Sequence, residues 1–161
     1  VNVQAYDATY VVDADIGVTV QGYDADTAKL DVAQTFTANQ AITGEFIANS
    51  YNETYVSVTS TANATTTNCA AGNVFMHTLT EATTFTFSNP PATGTSYIMS
   101  IEIIQDAGAA GYAVTWPASV DWPAATAPTL TATASAVDLF VFTTRDGGTT
   151  WMGLTAGQAF A

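Results

Sequence analysis

Closely spaced acidic pairs are the first feature of this sequence that could bind a ligand. Two of them, Asp13-Ala-Asp15 and Asp24-Ala-Asp26, lie near the N-terminus. Carboxylate oxygens are the ligands that Ca2+ prefers, and the ion takes about six to eight of them. The sequence has neither an EF-hand loop, with its invariant Gly and closing Glu, nor a Gly-Gly-x-Gly-x-Asp array. We therefore expect solvated turn acids, with no bound cofactor, and keep Ca2+ at Asp13, Asp15, Asp24 and Asp26 as the weaker alternative.

Catalytic chemistry has few candidates. His77 is the only histidine and Cys69 the only cysteine. A Ser-His-Asp triad would need His77, but that residue shares an apolar strand face with Phe75 and Leu79, and no Gly-x-Ser-x-Gly elbow is present. One His and one Cys do not make a recognisable zinc-ligand spacing. We predict no catalytic residues, no metal site built on these two side chains and no enzyme activity.

Tryptophans offer a third kind of site. Trp116 and Trp122 each precede a proline and flank the segment 118–121. Trp side chains near loops can stack on sugar faces, and they commonly anchor interfaces. We expect core or subunit packing and keep Trp116 and Trp122 as weak binding candidates.

Arg145 sits at a turn, where we expect it to be solvated; pairing with an acid of a neighbouring subunit is the alternative.

The elements that must position these residues are β-strands. The stretch 97–104 alternates and carries one fully apolar face, which is typical of a half-buried strand. The stretch 136–144 has large apolar groups on both faces, which predicts a central strand covered on both sides. The Asp-Gly pair at 146–147 predicts a hairpin into a return strand at 149–154.

The rest of the chain also indicates short strands. Alternation predicts them at 35–42, 45–48, 53–60, 73–79, 83–88 and 112–116. We expect 73–79 and 83–88 to form a hairpin and 61–72 to be a polar loop. Short strands without alternating helices predict an all-β fold, specifically an antiparallel, jelly-roll-like β-sandwich head with an extended N-terminal arm.

Composition excludes some partners. The chain has 161 residues, a net charge of −12, and only 10% charged residues, against a usual share of about 25%. An acidic surface repels phosphate backbones, so we expect no nucleic-acid partner. No apolar run approaches the roughly 20 residues of a membrane span, so we expect no membrane insertion.

The N-terminal region differs from the rest. The string Val3-Gln-Ala-Tyr-Asp-Ala8 recurs as Val20-Gln-Gly-Tyr-Asp-Ala25. Two copies are too few for a solenoid, and the apolar residues are too sparse for a core. We predict two regions, an acidic, oligomerising arm at 1–44 and a β-sandwich head at 45–161. Because the chain starts with Val1 rather than Met, we expect a processed chain or a fragment.

Three strings in the last 120 or so residues carry a resemblance, namely QDAGAAGYAVTWPASVDWP, APTLTATASAVDLFVF and TTRDGGTTWMG. They resemble the C-terminal β-domain of tail-fibre and related virion proteins of marine and cyanobacterial bacteriophages. The N-terminal repeat is similar to linking repeats of such fibres, which implies that Tyr6 and Tyr23 pack across a threefold axis. The resemblance implies a homotrimer on the virion surface, in contact with other virion proteins and adhering to a host-surface glycan or protein.

Three alternatives remain open. The chain could be a capsid decoration (cement) protein, or a subunit of an extracellular filament whose arm donates a strand to the next subunit. Glycoside cleavage needs only two carboxylates, and some bacteriophage tailspikes are glycan hydrolases. Those domains are long β-helices, and the sequence shows no repeating strand–turn coil, so we expect a structural protein.

Overall fold

The computed structural model describes residues 35–38 and 40–161. The chain divides into two units, Val1–Ala48 and Asn49–Ala161. The described residues of the first unit form no strand, so the strands predicted at 35–42 and 45–48 are wrong. Alternation alone does not make a strand, because a strand also needs a hydrogen-bonded neighbour and an apolar face to bury.

Within the described residues, the second unit contains nine strands. They are β1 (Val56–Ser57), β2 (Ala64–Asn68), β3 (Val74–Leu79), β4 (Thr83–Ser88), β5 (Tyr97–Gln105), β6 (Val114–Thr115), β7 (Val120–Asp121), β8 (Val137–Thr144) and β9 (Trp151–Phe160). The helical elements described are two 3-10 turns, Cys69–Ala71 and Pro123–Ala125. The predicted all-β class is confirmed. No helix in this part of the chain is long and apolar enough to cross a bilayer.

The strands form two sheets that the chain visits in turn. The large sheet has the order β1-β3-β5-β8-β9-β7, and the small sheet has the order β2-β4-β6. From β1 to β7 the chain alternates between the sheets, so the next strand within a sheet arrives parallel to the last. Five of the seven strand pairings are parallel, and two are antiparallel.

This winding corrects two predictions. Antiparallel, jelly-roll-like pairing is wrong for most of the two sheets, because side-chain alternation has the same period in parallel and antiparallel strands. The sequence shows no repeating strand–turn coil, but the structure contains a short one, in which β1, β3 and β5 lie side by side and parallel in the large sheet. Val56 lies beside Phe75, which lies beside Ile101, so the turns of the coil are unequal and leave no regular repeat.

Two local predictions fail for related reasons. The expected hairpin of 73–79 and 83–88 is wrong, because β3 and β4 lie in different sheets and the short connection between them crosses the core. The expected loop at 61–72 contains β2, which pairs with β4 over its whole length. The strand was hidden by its polar composition, although threonine is β-branched and well suited to strands. Its alternate residues Thr65 and Thr67 are buried.

The C-terminal part follows the sequence more closely. The predicted apolar face of β5 is buried; its members are Tyr97, Met99, Ile101 and Ile103. Strand β8 is central, between β5 and β9, as predicted, and one of its faces is buried while the other is half-buried. The Asp-Gly hairpin joins β8 to β9 as predicted. The core lies between the sheets, where Phe87 of β4 meets Phe142 and Trp151 of the large sheet at ring distances of 5.1 Å.

Candidate functional site

Trp116 and Trp122 lie together in an aromatic cluster. They follow strands β6 and β7, and their ring centroids are 5.8 Å apart. Trp116 packs against Phe140 at 5.3 Å, Phe142 at 5.0 Å and Phe85 at 5.1 Å. Offset and edge-to-face aromatic contacts of this kind stabilise a core beyond the area that they bury. Trp116 therefore joins the two sheets, in keeping with the packing role expected for it.

Trp122 has its position because a glycine lies beneath it. A Cβ at Gly153 of β9 would stand 3.0 Å from two ring carbons of Trp122 and 2.8 Å from Cγ1 of Val120. The missing side chain lets the indole approach the strand backbone. The same indole contacts Phe140 and Phe142 at ring distances of 6.1 and 5.7 Å. The inner side of Trp122 is thus held by the core, and the residue is only partly buried.

An open apolar groove runs along the other side of Trp122. Its lining residues are Asp121, Trp122, Pro123, Thr143, Met152, Gly153 and Leu154. A polar hollow shares Asp121, Thr143 and Met152 with this groove and adds Thr144, Arg145, Asp146 and Thr150. Aromatic and aliphatic walls beside carboxylates and a guanidinium can hold a ligand that has both apolar and hydroxylated faces. Two carboxylates, Asp121 and Asp146, line the polar hollow, and neither hollow is lined by a histidine or a cysteine.

The Asp146 turn forms the polar end of this hollow. One oxygen of Asp146 accepts hydrogen bonds from the Thr150 N–H at 3.0 Å and the Thr144 hydroxyl at 2.9 Å. These bonds lower the pKa of Asp146, with the Thr150 N–H the largest cause. Arg145, the only basic side chain in the described part of the chain, is exposed beside it. The turn is thus held rigidly, and the guanidinium faces solvent, as expected for a solvated turn residue.

His77 is a core residue. It is fully buried with Phe75 and Leu79, as its strand face predicts, and Phe85 meets its ring edge-on at 5.4 Å. Its Nδ1 lies 2.8 Å from the Val58 carbonyl oxygen, so it carries the proton and donates. Nε2 is buried and has no hydrogen-bond partner among residues 35–38 and 40–161. In this part of the chain the ring therefore has no serine or carboxylate partner through which a triad could act.

Cys69 is buried and forms no disulfide. Burial raises the pKa of its thiol. Burial, followed by the neighbouring Cys69, raises the pKa of Tyr97 in turn, and the Tyr97 hydroxyl donates to the Gly72 carbonyl. A thiol with a raised pKa is a poor nucleophile at neutral pH. Cys69 packs as a small hydrophobic residue, as expected.

Asp138 is a buried acid that sequence reasoning missed. It is 2% exposed and accepts hydrogen bonds from the backbone N–H groups of Thr131, at 2.7 Å, and Ala159, at 3.0 Å. The Gln158 amide donates to it at 3.2 Å. Burial raises the pKa of Asp138, but these hydrogen bonds together lower it below its usual value. The carboxylate ties the 128–132 loop and the end of β9 to β8, so its role is structural.

The remaining candidates lie outside the described residues. These are the Ca2+ candidates Asp13, Asp15, Asp24 and Asp26 and the interface candidates Tyr6 and Tyr23. Within 35–38 and 40–161, no group of three or more His, Cys, Asp or Glu side chains is placed to hold a metal ion.

Exposed hydrophobic side chains are a second feature that the sequence patterns did not identify. Six large ones lie in the stretch 36–55: Phe36, Ile42, Phe46, Ile47, Tyr51 and Tyr55, exposed by 53 to 83%. Their spacing follows neither a helix nor a strand period, so the sequence alone gave no reason to group them. A single copy of the chain leaves all six facing solvent.

Comparison with known proteins adds no relative. No protein-family model, curated protein or solved structure matches this chain.

Proposed function

We propose that this chain is a non-enzymatic structural protein of a bacteriophage virion, a component of a homotrimeric tail fibre on the virion surface. Its N-terminal arm would join the three chains, and a two-layered β-sandwich head would project from the assembly. The proposal starts from the resemblance of the C-terminal strings and the N-terminal repeat to tail-fibre proteins. Its further support comes from the surface of the described residues.

The observation that carries the proposal is the exposure of six large hydrophobic residues between positions 36 and 55 of the sequence. Phe46 is 67% exposed and Ile47 is 83% exposed. Burying side chains of this size is worth about 1.5–3 kcal/mol each, so several copies gain stability by packing these segments together. A chain that functioned as a free monomer would carry this surface as an aggregation liability.

The first experiment measures the mass of the full chain in solution. We expect a trimer by analytical ultracentrifugation. The double variant Phe46→Ser/Ile47→Ser should dissociate more readily and keep the far-ultraviolet circular dichroism of the head. The control Asn49→Ser/Asn52→Ser changes exposed polar neighbours and should leave the trimer intact. A wild-type chain that stays monomeric at every concentration would contradict the proposal.

Adhesion to a host-surface glycan or protein is the second part of the proposed function. It is supported by the polar hollow, whose charged residues Asp121, Arg145 and Asp146 lie outside the aliphatic side chains of the large sheet. We expect Arg145→Ala and Asp121→Asn to weaken binding to host cells with the trimer unchanged. Equal binding by wild type and both variants would remove the hollow from the proposal.

Copy number on purified particles separates the alternatives. A tail fibre gives few copies per particle, and a capsid decoration protein gives hundreds. A filament subunit gives an open polymer without a capsid. A glycan-hydrolysis assay on the full chain tests the enzymatic alternative, and we expect no turnover.

A further inference from the structure

The outer face of the large sheet is unusually apolar for a surface. Ten side chains on it are aliphatic or aromatic: Val74, Met76, Ile98, Ile104, Val137, Leu139, Val141, Met152, Leu154 and Phe160. All ten are half-buried or exposed in the single chain. Ile98 is 56% exposed, Met152 50%, Leu154 46% and Phe160 53%. We call these ten residues the aliphatic face.

Strand register makes the aliphatic face continuous. One row across the sheet joins Ile98 to Thr143 and Met152, and the next joins Val74 to Ser100, Val141 and Leu154. At the far end, Val137 lies beside Ile104 and Phe160. The Phe160 ring folds over Gly157, where an added Cβ would overlap it. Neighbouring strands are about 4.8 Å apart, so side chains on adjacent strands of a row lie within contact range, and Thr143 and Ser100 are the polar members of the first two rows.

The small sheet provides an internal comparison. The residues on its outer side are small or polar, and four of them are exposed threonines; they are Ala64, Thr66, Asn68, Thr84, Thr86, Ser88 and Thr115. Threonine favours strands and also hydrates well, so this side is suited to water. The two outer surfaces of one domain therefore differ in kind. Strand propensity alone does not explain why the aliphatic face is apolar, because exposed threonines form strands equally well on the outer side of the small sheet.

We propose that the aliphatic face is the surface through which copies of this chain associate, so that the head adds its own contact to that of the arm. The inference rests on the homo-oligomer of the proposed function and names the surface that builds it. Sheets pack face to face at about 10 Å through such side chains. A second copy is the occupant that the size and charge of the face favour.

The size of the face suits a subunit contact. Four strands spaced by about 4.8 Å, each contributing about eight residues of 3.3 Å rise, cover roughly 500 Å² in projection. A standard interface buries about 800 Å² per partner, so the face would supply part of the subunit contact and the arm the remainder. The projected area includes the polar residues Ser100, Glu102 and Thr143. The largest apolar patch on a typical monomer is about 300–600 Å² and is often functional.

Charge also favours a second copy. Two identical chains of net charge −12 repel each other least where their surfaces carry fewest acids. Two acids lie on the outer side of the large sheet: Glu102 on β5, and Asp121 on the edge strand β7, beside Met152. Glu102 lies in the row between Met76 and Leu139. Association would bring equivalent carboxylates closer together, so Glu102→Gln should tighten it.

The test uses the full chain and two variants that add the same charge. Ile98→Glu/Leu154→Glu places two carboxylates on the aliphatic face, and Thr84→Glu/Thr86→Glu places two on the threonine side. An unpaired charge buried in an interface weakens association by about a hundredfold or more. We expect that loss in the dissociation constant of the first variant, measured by sedimentation equilibrium, and little change in the control.

Native methionines give a readout that needs no substitution. Met76 and Met152 belong to the aliphatic face, whereas Met99 is 1% exposed in the core. Peroxide oxidises exposed methionine in preference to buried methionine. We expect Met152 to oxidise several-fold more slowly in the associated form than in diluted protein, with Met99 protected in both.

The outcomes separate the two proposals. A wild-type chain that never associates overturns both of them. An oligomer in which Met152 oxidises as fast as in the monomer, or which both double variants leave equally intact, overturns the aliphatic face alone and keeps the homo-oligomer. A monomer with Met152 already protected shows that another segment covers the face and also overturns this inference.

Discussion

Single residues decide how closely the aromatic cluster and the loops approach the large sheet. Gly153 lets the Trp122 indole lie on β9, and Asp138 gathers N–H donors from two segments distant in sequence. Neither role shows in the local sequence, because each depends on which atoms the fold brings opposite the residue. Both residues occupy buried positions of their strands, so substitutions there test packing inside the head.

Gly153→Ala should destabilise the head. The new Cβ would stand 2.8 Å from Val120 and 3.0 Å from Trp122, and overpacking of this kind costs about 1–3 kcal/mol. Urea unfolding followed by tryptophan fluorescence measures the loss. Gly44→Ala is the matched control, because a Cβ there meets nothing within 4 Å. Equal stability of the two variants would contradict the packing described here.

Asp138→Asn should destabilise the fold at neutral pH by about 1–3 kcal/mol, because an amide cannot accept all the hydrogen bonds that the carboxylate accepts. The folded-state pKa of Asp138 is lowered, so its stabilisation is fully present above the unfolded value of about 3.9 and is lost as the pH falls through the folded value. The free energies of unfolding of wild type and variant should therefore converge below about pH 4. Exposed Asp121, changed to Asn, is the control, and a pH-independent difference for Asp138→Asn would count against this account.

At the scale of elements, turn chemistry was the most reliable guide. The Asp146-Gly147-Gly148 turn was predictable because both glycines adopt positive φ, 71° and 78°, a conformation that other residues rarely reach. Alternation identified β3, β4, β5 and β8 but not their neighbours. Period-two patterning reports which face of a strand is buried and contains no information about which strand lies alongside. The patterns of 73–79 and 83–88 therefore fit a hairpin and a parallel winding equally well.

Gly148→Ala tests the turn. It combines a positive φ of 78° with a Cβ 2.7 Å from Cγ of Pro90. Gly111→Ala shares the positive φ, at 88°, but its Cβ meets nothing within 4 Å. Both variants should lose about 1–2 kcal/mol from backbone strain, and Gly148→Ala should lose at least about 1 kcal/mol more from the clash. Thermal or urea unfolding compares them, and identical losses would show that Pro90 moves aside freely.

At the scale of the whole molecule, hydrophobic surface and net charge act in opposite directions. In the proposed assembly, burial of the segment 36–55 and of the aliphatic face would favour association, and a net charge of −12 per chain would oppose it. Screening lengths fall from about 30 Å at 0.01 M salt to about 8 Å at 0.15 M. The balance between association and dissociation should therefore respond to ionic strength.

We expect the oligomer to tighten when NaCl rises from about 0.01 to 0.15 M, because salt screens the repulsion between acidic chains. Sedimentation at several salt concentrations measures the effect. Ca2+ and Mg2+ at matched ionic strength separate screening from binding: equal effects indicate screening, and a larger effect of Ca2+, reversed by EDTA, indicates a site among the acids of the arm. An oligomer insensitive to both salt and EDTA would contradict the electrostatic account.

The all-β class, the burial of one face of β5, the central place of β8 and the Asp-Gly hairpin were determined by the sequence itself, because side-chain period and turn residues are local properties. Only the tertiary structure decided three further features: the parallel winding of the two sheets, the packing of Trp122 against Gly153, and the burial of the Asp138 carboxylate. They depend on contacts between segments far apart in the chain, and no local pattern specifies which of several similar strands will meet. The contrast between the threonine side and the aliphatic face depends on the sequence and on the tertiary structure together. The sequence supplies the residues, and the strand pairing assembles each set into one surface.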